Sequence, residues 1–199
     1  MKYAIAFSSL ALLLGLAAAH RGAAPASAAE APASYKVDPV HSMVIFKVKH
    51  MGAGNFYGRF NQVSGTFTID DADPSKNRVE FEVKADSIDT ANKQREDHLK
   101  GPDFFNVVQF PTITFKGKEI KKAGEQSHEV AGDLTFRGVT KPLKAKVEKV
   151  GTGKGRRGET ITGFEATFTL KRSDFGMNFM VGPLGDEIHV IVSTECTTS

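Results

Sequence analysis

The chain has 199 residues, with 26 Lys and Arg against 23 Asp and Glu, six His, one Cys and no Trp. That length suits one ordinary domain, and a formal charge of +3 is too weak to predict a nucleic-acid or anionic-membrane partner. With 40% hydrophobic and 25% charged residues the composition is not that of a disordered chain, and the lone Cys196 excludes an internal disulfide framework and a multi-cysteine zinc site.

Met1-Lys2 places a positive charge ahead of the apolar run Ala4–Ala19, which is interrupted by Ser8, Ser9 and Gly15. A membrane span needs about 20 apolar residues, and this run is shorter and broken. A positive start, an apolar core and a small-residue exit read instead as a secretory signal peptide. Cleavage fits after Ala19 or after Ala28, and the second is favoured. The expected organisation is a signal peptide over 1–28, a flexible spacer over 29–34 and one domain over 35–199. Removing 28 residues takes away Lys2 and Arg21 and no acid, leaving 171 residues with 24 cations against 23 anions. The mature chain is expected to be soluble, nearly neutral and periplasmic. No cysteine follows either site to carry a lipid anchor.

Beyond residue 35 the period-2 pattern of strands recurs. Val79, Phe81, Val83 and Ala85 alternate with Arg78, Glu80, Glu82 and Lys84. Val130, Leu134 and Phe136 alternate with Glu129, Asp133 and Arg137, and Leu143, Ala145 and Val147 with Lys144, Lys146 and Glu148. Further runs are Val44–Lys49, Thr66–Asp70, Thr112–Lys116, Ile161–Leu170 and Ile188–Thr194. Eight runs with one dry face predict an all-β fold, an antiparallel sheet closed into a barrel that hides both its edges. One segment breaks the rhythm: Thr90 can cap a short helix Ala91–Leu99, with Gly101 and Pro102 ending it. Phe104 and Phe105 follow in a connection, where such rings either plug a core or cover an opening.

Several chemical motifs fail on context. Gly153–Gly158 has the spacing of a dinucleotide loop but leads into a β-branched strand, so it reads as a hairpin tip. His41, His50, His98, His128 and His189 form no pair at metal-ligand spacing, and Ser42 beside His41 projects to the opposite face of a strand. No metal site and no catalytic residue is predicted. Phenylalanine dominates instead: Phe46, Phe67, Phe81, Phe115, Phe136 and Phe168 fall in the predicted strands. Such rings either fill a solid barrel core or line a cavity, since eight-stranded barrels can hold one ligand. Burial of an apolar chain there contributes about 0.8 kcal/mol per CH₂. A membrane-crossing barrel would need aromatic girdles rich in Trp and Tyr, and the chain has neither in quantity.

Particular segments carry a resemblance. They are Asp38-Pro39-Val40-His41-Ser42, Gly58-Arg59-Phe60, Arg95-Glu96-Asp97-His98-Leu99, Pro102-Asp103-Phe104-Phe105 and Phe110–Phe115. Gly132–Pro142, Arg172-Ser173-Asp174-Phe175-Gly176 and Gly185-Asp186-Glu187 complete the set. In this order, from Tyr35 to about Glu195, they make the chain resemble the YceI-like family of bacterial periplasmic polyisoprenoid-binding proteins. Glu96 departs from the family's usual Asp after the helix Arg, which would matter if that acid orients Arg95 or a head group. The resemblance implies a lipocalin-like, eight-stranded antiparallel β-barrel with a short helical insertion near residues 91–105.

It further implies a carrier or sequestering protein for a polyisoprenoid or similar long-chain amphiphile, such as a quinone or prenyl lipid. That lipid is the ligand, no other cofactor is expected, and no enzymatic reaction is attached to the fold. Phe46, Phe67, Phe81, Phe115, Phe136 and Phe168 would hold the tail, with Phe104 and Phe105 near the mouth. His41, Arg59, His98 and Arg172 would meet the head group or brace the mouth. Arg59 and Arg172 have the alternative of pairing with Asp38, Asp103 or Asp174. Neither nucleic acid nor stable insertion into a membrane is expected, and the sequence leaves a homodimer open. An enzyme acting on such a lipid through His41 or His98, or an interaction module with a solid core, are the competing readings.

Overall fold

The computed structural model describes residues 33–70 and 72–198, so the expected signal peptide lies outside the described residues. Eleven strands form one sheet: β1 Ala33–Val37, β2 Met43–His50, β3 Gly54–Phe60, β4 Val63–Ile69, β5 Arg78–Lys84 and β6 Ile88–Asp89. They are followed by β7 Thr112–Lys122, β8 Ser127–Phe136, β9 Val139–Lys154, β10 Thr160–Lys171 and β11 Leu184–Thr198. β1 begins at Ala33, two residues inside the stretch expected to be spacer.

The eleven strands make eight staves. β1 and β2 are two halves of one stave, as are β3 and β4, and β5 and β6. β2 pairs with β3 and β1 with β4, so both halves keep the same neighbour. Each stave runs antiparallel to the next, and β11 closes the barrel on both β2 and β1, with Val190 opposite Phe46 and Cys196 opposite Val37. Among the described residues, closure leaves only the outer edge of the short β6 without a neighbouring strand. The first break has a local cause at Asp38-Pro39. Proline brings no N–H to the ladder, and the Asp38 carboxylate accepts from the Val40 amide at 2.9 Å, turning the chain.

The alternation read from the sequence becomes inside and outside. Along β8, Val130, Leu134 and Phe136 are buried, while Glu129 on the outer face accepts an ion pair from Lys144 of β9 at 3.0 Å. Charged side chains thus face outward and apolar ones inward, the reverse of a membrane-crossing barrel. Among the described residues no helix is long and apolar enough to cross a membrane. The hairpin tip between β9 and β10 holds Gly155 to Gly158, as its β-branched sequel suggests.

The third stave stops short. β5 pairs with β7 only from Glu80–Lys116 to Lys84–Thr112, and β6 pairs with β3 alone. The chain then leaves the wall as α1, Lys93–Lys100, and a turn-rich segment that returns at Thr112. The helix starts two residues later than expected. Its cap is Asn92, whose side chain accepts from the Arg95 amide at 2.9 Å, rather than Thr90. Thr90 is instead a buried anchor. Its amide donates to Glu96 Oε1 at 2.7 Å, and its carbonyl and hydroxyl accept from Arg95 at 2.6 and 3.1 Å. Gly101 ends the helix as expected.

Candidate functional site

The barrel encloses a cavity of about 640 Å³. That volume sits in the usual ligand-site range of about 300–1,000 Å³. Inward-facing positions of nearly every stave line it, so the cavity is a direct product of the period-2 pattern. Phe46, Phe67, Phe81, Phe115, Phe136 and Phe168 all line it, as do Phe104 and Phe105 from the segment after α1. The core is therefore not solid.

At the lower end three rings form a floor. Tyr35 stacks on Phe67 at 4.9 Å between centroids, and Phe164 meets both edge-on at 5.1 and 5.0 Å. At the upper end the α1 segment makes a roof. Phe105 meets Phe60 edge-on at 5.3 Å and lies 5.6 Å from Phe136, while Phe104 packs between His98 and Phe179 at 5.0 and 5.3 Å. The two rings of the connection thus both cover the opening.

Glycines shape the wall. Phe46 stands directly across the β2–β3 pair from Gly58, and a Cβ at Gly58 would lie only 2.8 Å from its Cε1. In the same way a Cβ at Gly132 would lie 2.6 Å from Phe115 Cζ. Each ring occupies space that only glycine leaves free, and the lumen keeps the volume that the ring would otherwise take.

The polar predictions divide. His98 lies at the cavity's rim, where Nε2 pairs with Asp103 at 3.1 Å. Arg172 also borders the cavity, but its guanidinium is buried and used up. Nε donates to Gly185 O at 2.9 Å, Nη1 to Met177 O and Phe179 O at 2.9 and 2.8 Å, and Nη2 to Leu184 O at 3.0 Å. Burial lowers its pKa, with the nearby Asp186 opposing that shift. Arg172 pairs with none of the three expected aspartates; it holds together the loop between β10 and β11.

Arg59 and His41 do not line the cavity. Arg59 neighbours the inward Gly58 and Phe60, so it faces out, and there it donates to Asp89 from Nη2 at 2.9 Å and Nε at 3.1 Å. Asp89 is held down to about pKa 2 by the Ala91 amide, Arg59 and Asn61. His41 sits at the bend of the first stave, its Nδ1 2.7 Å from Asp38 Oδ2 and 3.8 Å from Glu195 Oε2. The Asp38 carboxylate raises its pKa and is itself lowered by the same bond. One ligand atom each from Asp38, His41 and Glu195 lies within 4.8 Å of the others, on the outer surface and away from the lumen.

The sequence did not single out the rest of the rim. Arg95 lies over the Phe56 ring, 4.5 Å from its centroid, with Nε and Nη2 committed to Thr90. Glu96 does not touch it; the Glu96 carboxylate serves the Thr90 and Asn92 amides, which lower its pKa. His50, Asn55, Phe179 and Met180 complete the upper lining. The arrangement is an apolar chamber with Arg95, His98, His50 and Asn55 at its mouth and His128, at the start of β8, lining the opposite end.

Known proteins resemble this chain in sequence and fold. A UPF0312 protein of Pseudomonas aeruginosa is 39% identical over 183 residues, spanning 90% of this chain and 95% of its own. The crystal structure of the Campylobacter jejuni YCEI protein matches with TM-score 0.67 and 29% identity over 76% of this chain and 90% of its own. A polyisoprenoid binding domain from Saccharophagus degradans, implicated in plant cell wall breakdown, has the same fold at TM-score 0.62 and 14% identity, covering 83% and 98%. The YceI-like domain pattern matches residues 35–196, which is nearly all of the described barrel. The chain belongs to the YceI-like family.

Proposed function

We propose that the protein carries or sequesters a polyisoprenoid or similar long-chain amphiphile, of quinone or prenyl-lipid type, inside the barrel. The observation that carries this reading is the 640 Å³ lumen, lined by twelve phenylalanines. An apolar tail laid against those rings is stabilised by about 0.8 kcal/mol per buried CH₂, while its head stays at the rim among Arg95, His98, His50 and Asn55. The solved polyisoprenoid binding domain of the same fold supports the choice of ligand class.

Binding is favoured over catalysis because Arg172, Arg95 and His98 at the cavity are engaged in holding the protein together. Arg172 secures four carbonyls, Arg95 secures Thr90, and His98 is paired with Asp103. We further propose that residues 1–28, which lie outside the described residues, act as an export signal and that the carrier works in the periplasm. The test is extraction of protein purified from a bacterial periplasm, with the organic phase analysed by mass spectrometry. Isoprenoid or fatty amphiphile at near-equal molar ratio is the expected result. Empty protein that also refuses added quinones and prenyl lipids would end the proposal.

A further inference from the structure

Five large apolar side chains are exposed at the end of the barrel where the cavity opens. Met51 tips the β2–β3 hairpin and is 58% exposed; Val108, in the segment after α1, is 94% exposed; Phe179, Met180 and Val181 stand on the loop before β11. These are three separate loops, and they are tied to one another. The Met51 amide donates to Pro183 O at 2.6 Å, and His98 of α1 meets Phe179 edge-on at 5.5 Å. Met51 and Met180 both lie in the left-handed region, at φ 52° and 51°, where glycine would be less strained. Flexible apolar side chains are therefore displayed to solvent at positions where they carry a conformational penalty.

This apolar rim is continuous with the lumen, because Phe179 and Met180 are exposed outside and line the cavity within. Charges of both signs stand around it. Glu96 accepts from backbone amides, Asp97 pairs with Lys93, Asp103 with His98, and Asp186 accepts from Ser173, while Asp174, on the loop that carries Phe179, is exposed. Lys49, beside Gly185, and Lys100, at the end of α1, have no ion-pair partner among the described residues, and Nη1 of Arg95 makes no bond there.

We propose that this rim docks on the surface of a phospholipid bilayer, with Met51, Val108, Met180 and Val181 dipping among the head groups and the lysines meeting their phosphates. Exposed apolar side chains with free lysines beside them are suited to interfacial binding. A bilayer also suits the shape, since fluid lipid accommodates three separate protrusions without a matched surface. The docked orientation joins the lumen to the leaflet, so an amphiphile moves between them without crossing water. This inference rests on the carrier reading for its purpose, although docking itself can be observed without it.

The test uses the mature protein and a Met51→Asp, Val108→Asp, Val181→Asp triple variant; none of the three residues lines the cavity. Flotation is measured with vesicles of phosphatidylethanolamine and phosphatidylglycerol, and with vesicles of phosphatidylcholine alone. The wild type is expected to float with both kinds of vesicle, because its apolar side chains carry the binding. The variant should lose binding by roughly tenfold or more, with unchanged circular dichroism and unchanged equilibrium uptake of a prenyl lipid. Three results overturn docking: a wild type that stays in solution, a variant that floats equally well, and self-association that the substitutions abolish without any vesicle binding. Floating protein that takes up no lipid would instead count against the carrier reading alone.

Discussion

Phe46 and Gly58 face each other across the β2–β3 pair, and the ring stands where a side chain at position 58 would have to go. Relief of an added methyl group is available in one direction, by rotation of the ring into the lumen. Gly58→Ala gains about 0.5–1 kcal/mol through the unfolded chain and loses about 1–3 kcal/mol through overpacking. The net change in stability is therefore small, and the lumen registers the substitution. The variant should fold, melt within a few degrees of the wild type and hold less lipid or shorter chains. Full retention of long-chain lipid in the extract would show that Phe46 does not bound the cavity in this way.

Arg172 is the cation on which the loop before β11 depends. Replacing it by Met leaves four carbonyl oxygens without their donor, a loss of roughly 3 kcal/mol or more. For a domain of this size that corresponds to a fall in Tm on the order of 10 °C. Arg172→Lys should recover little, because an ammonium is a single point of donors where the guanidinium spreads its five over a planar fork. A lysine variant that melts with the wild type would refute the assignment.

Two exposed groups give opposite pH dependences. The folded pKa of Asp89 is depressed to about 2, so its contribution is present above its ordinary value of 3.8 and lost as pH falls toward 2. The folded pKa of His41 is raised by Asp38, so its contribution is complete below 6.5 and lost as pH rises through the elevated value. Solvent screening keeps both contributions small, and the titrations themselves are the better readout. By NMR, Arg59→Gln should move Asp89 upward, and Asp38→Asn should return His41 toward 6.5. Unmoved curves would mean that neither bond persists in solution.

Cys196 has no exposed surface, and burial raises its thiol pKa. Thiolate is the reactive form, so the native protein should resist aromatic disulfide reagents and alkylation. Labelling should appear only as the β1–β11 closure opens, which makes the thiol a reporter of opening at that seam across a denaturant series. Rapid modification of native protein would contradict the closure of Cys196 against Val37.

Each of the eight alternating runs falls on a different stave, which is why the fold could be read from the sequence. The halves that escaped notice are β1, β3 and β6. β3 contains Gly54, Asn55 and Gly58, residues with little strand preference, and β6 is two residues long. Missing β3 also meant missing that Arg59 alternates with inward Gly58 and Phe60, so its outward direction was hidden. The phenylalanines were legible because strand parity fixes their face. Arg95, Phe56, Phe179 and Met180 were not, because α1 and the loops around the mouth have no parity to read. Thr90 has the chemistry of a helix cap, but Glu96 and Arg95 together claim it.

The broken staves lie side by side and the unbroken ones do too. β10 and β11 share eleven consecutive residue pairs, whereas β3 and β6 share two. Compliance is thus unequal around the circumference: a stiff trough from β7 to β11 faces a jointed wall made of β1 to β6. Local opening follows the side with fewest hydrogen bonds to break, and that side ends beneath α1, beside the mouth. A barrel with eight uninterrupted staves would be tighter, and its lumen would have no joint at which to breathe.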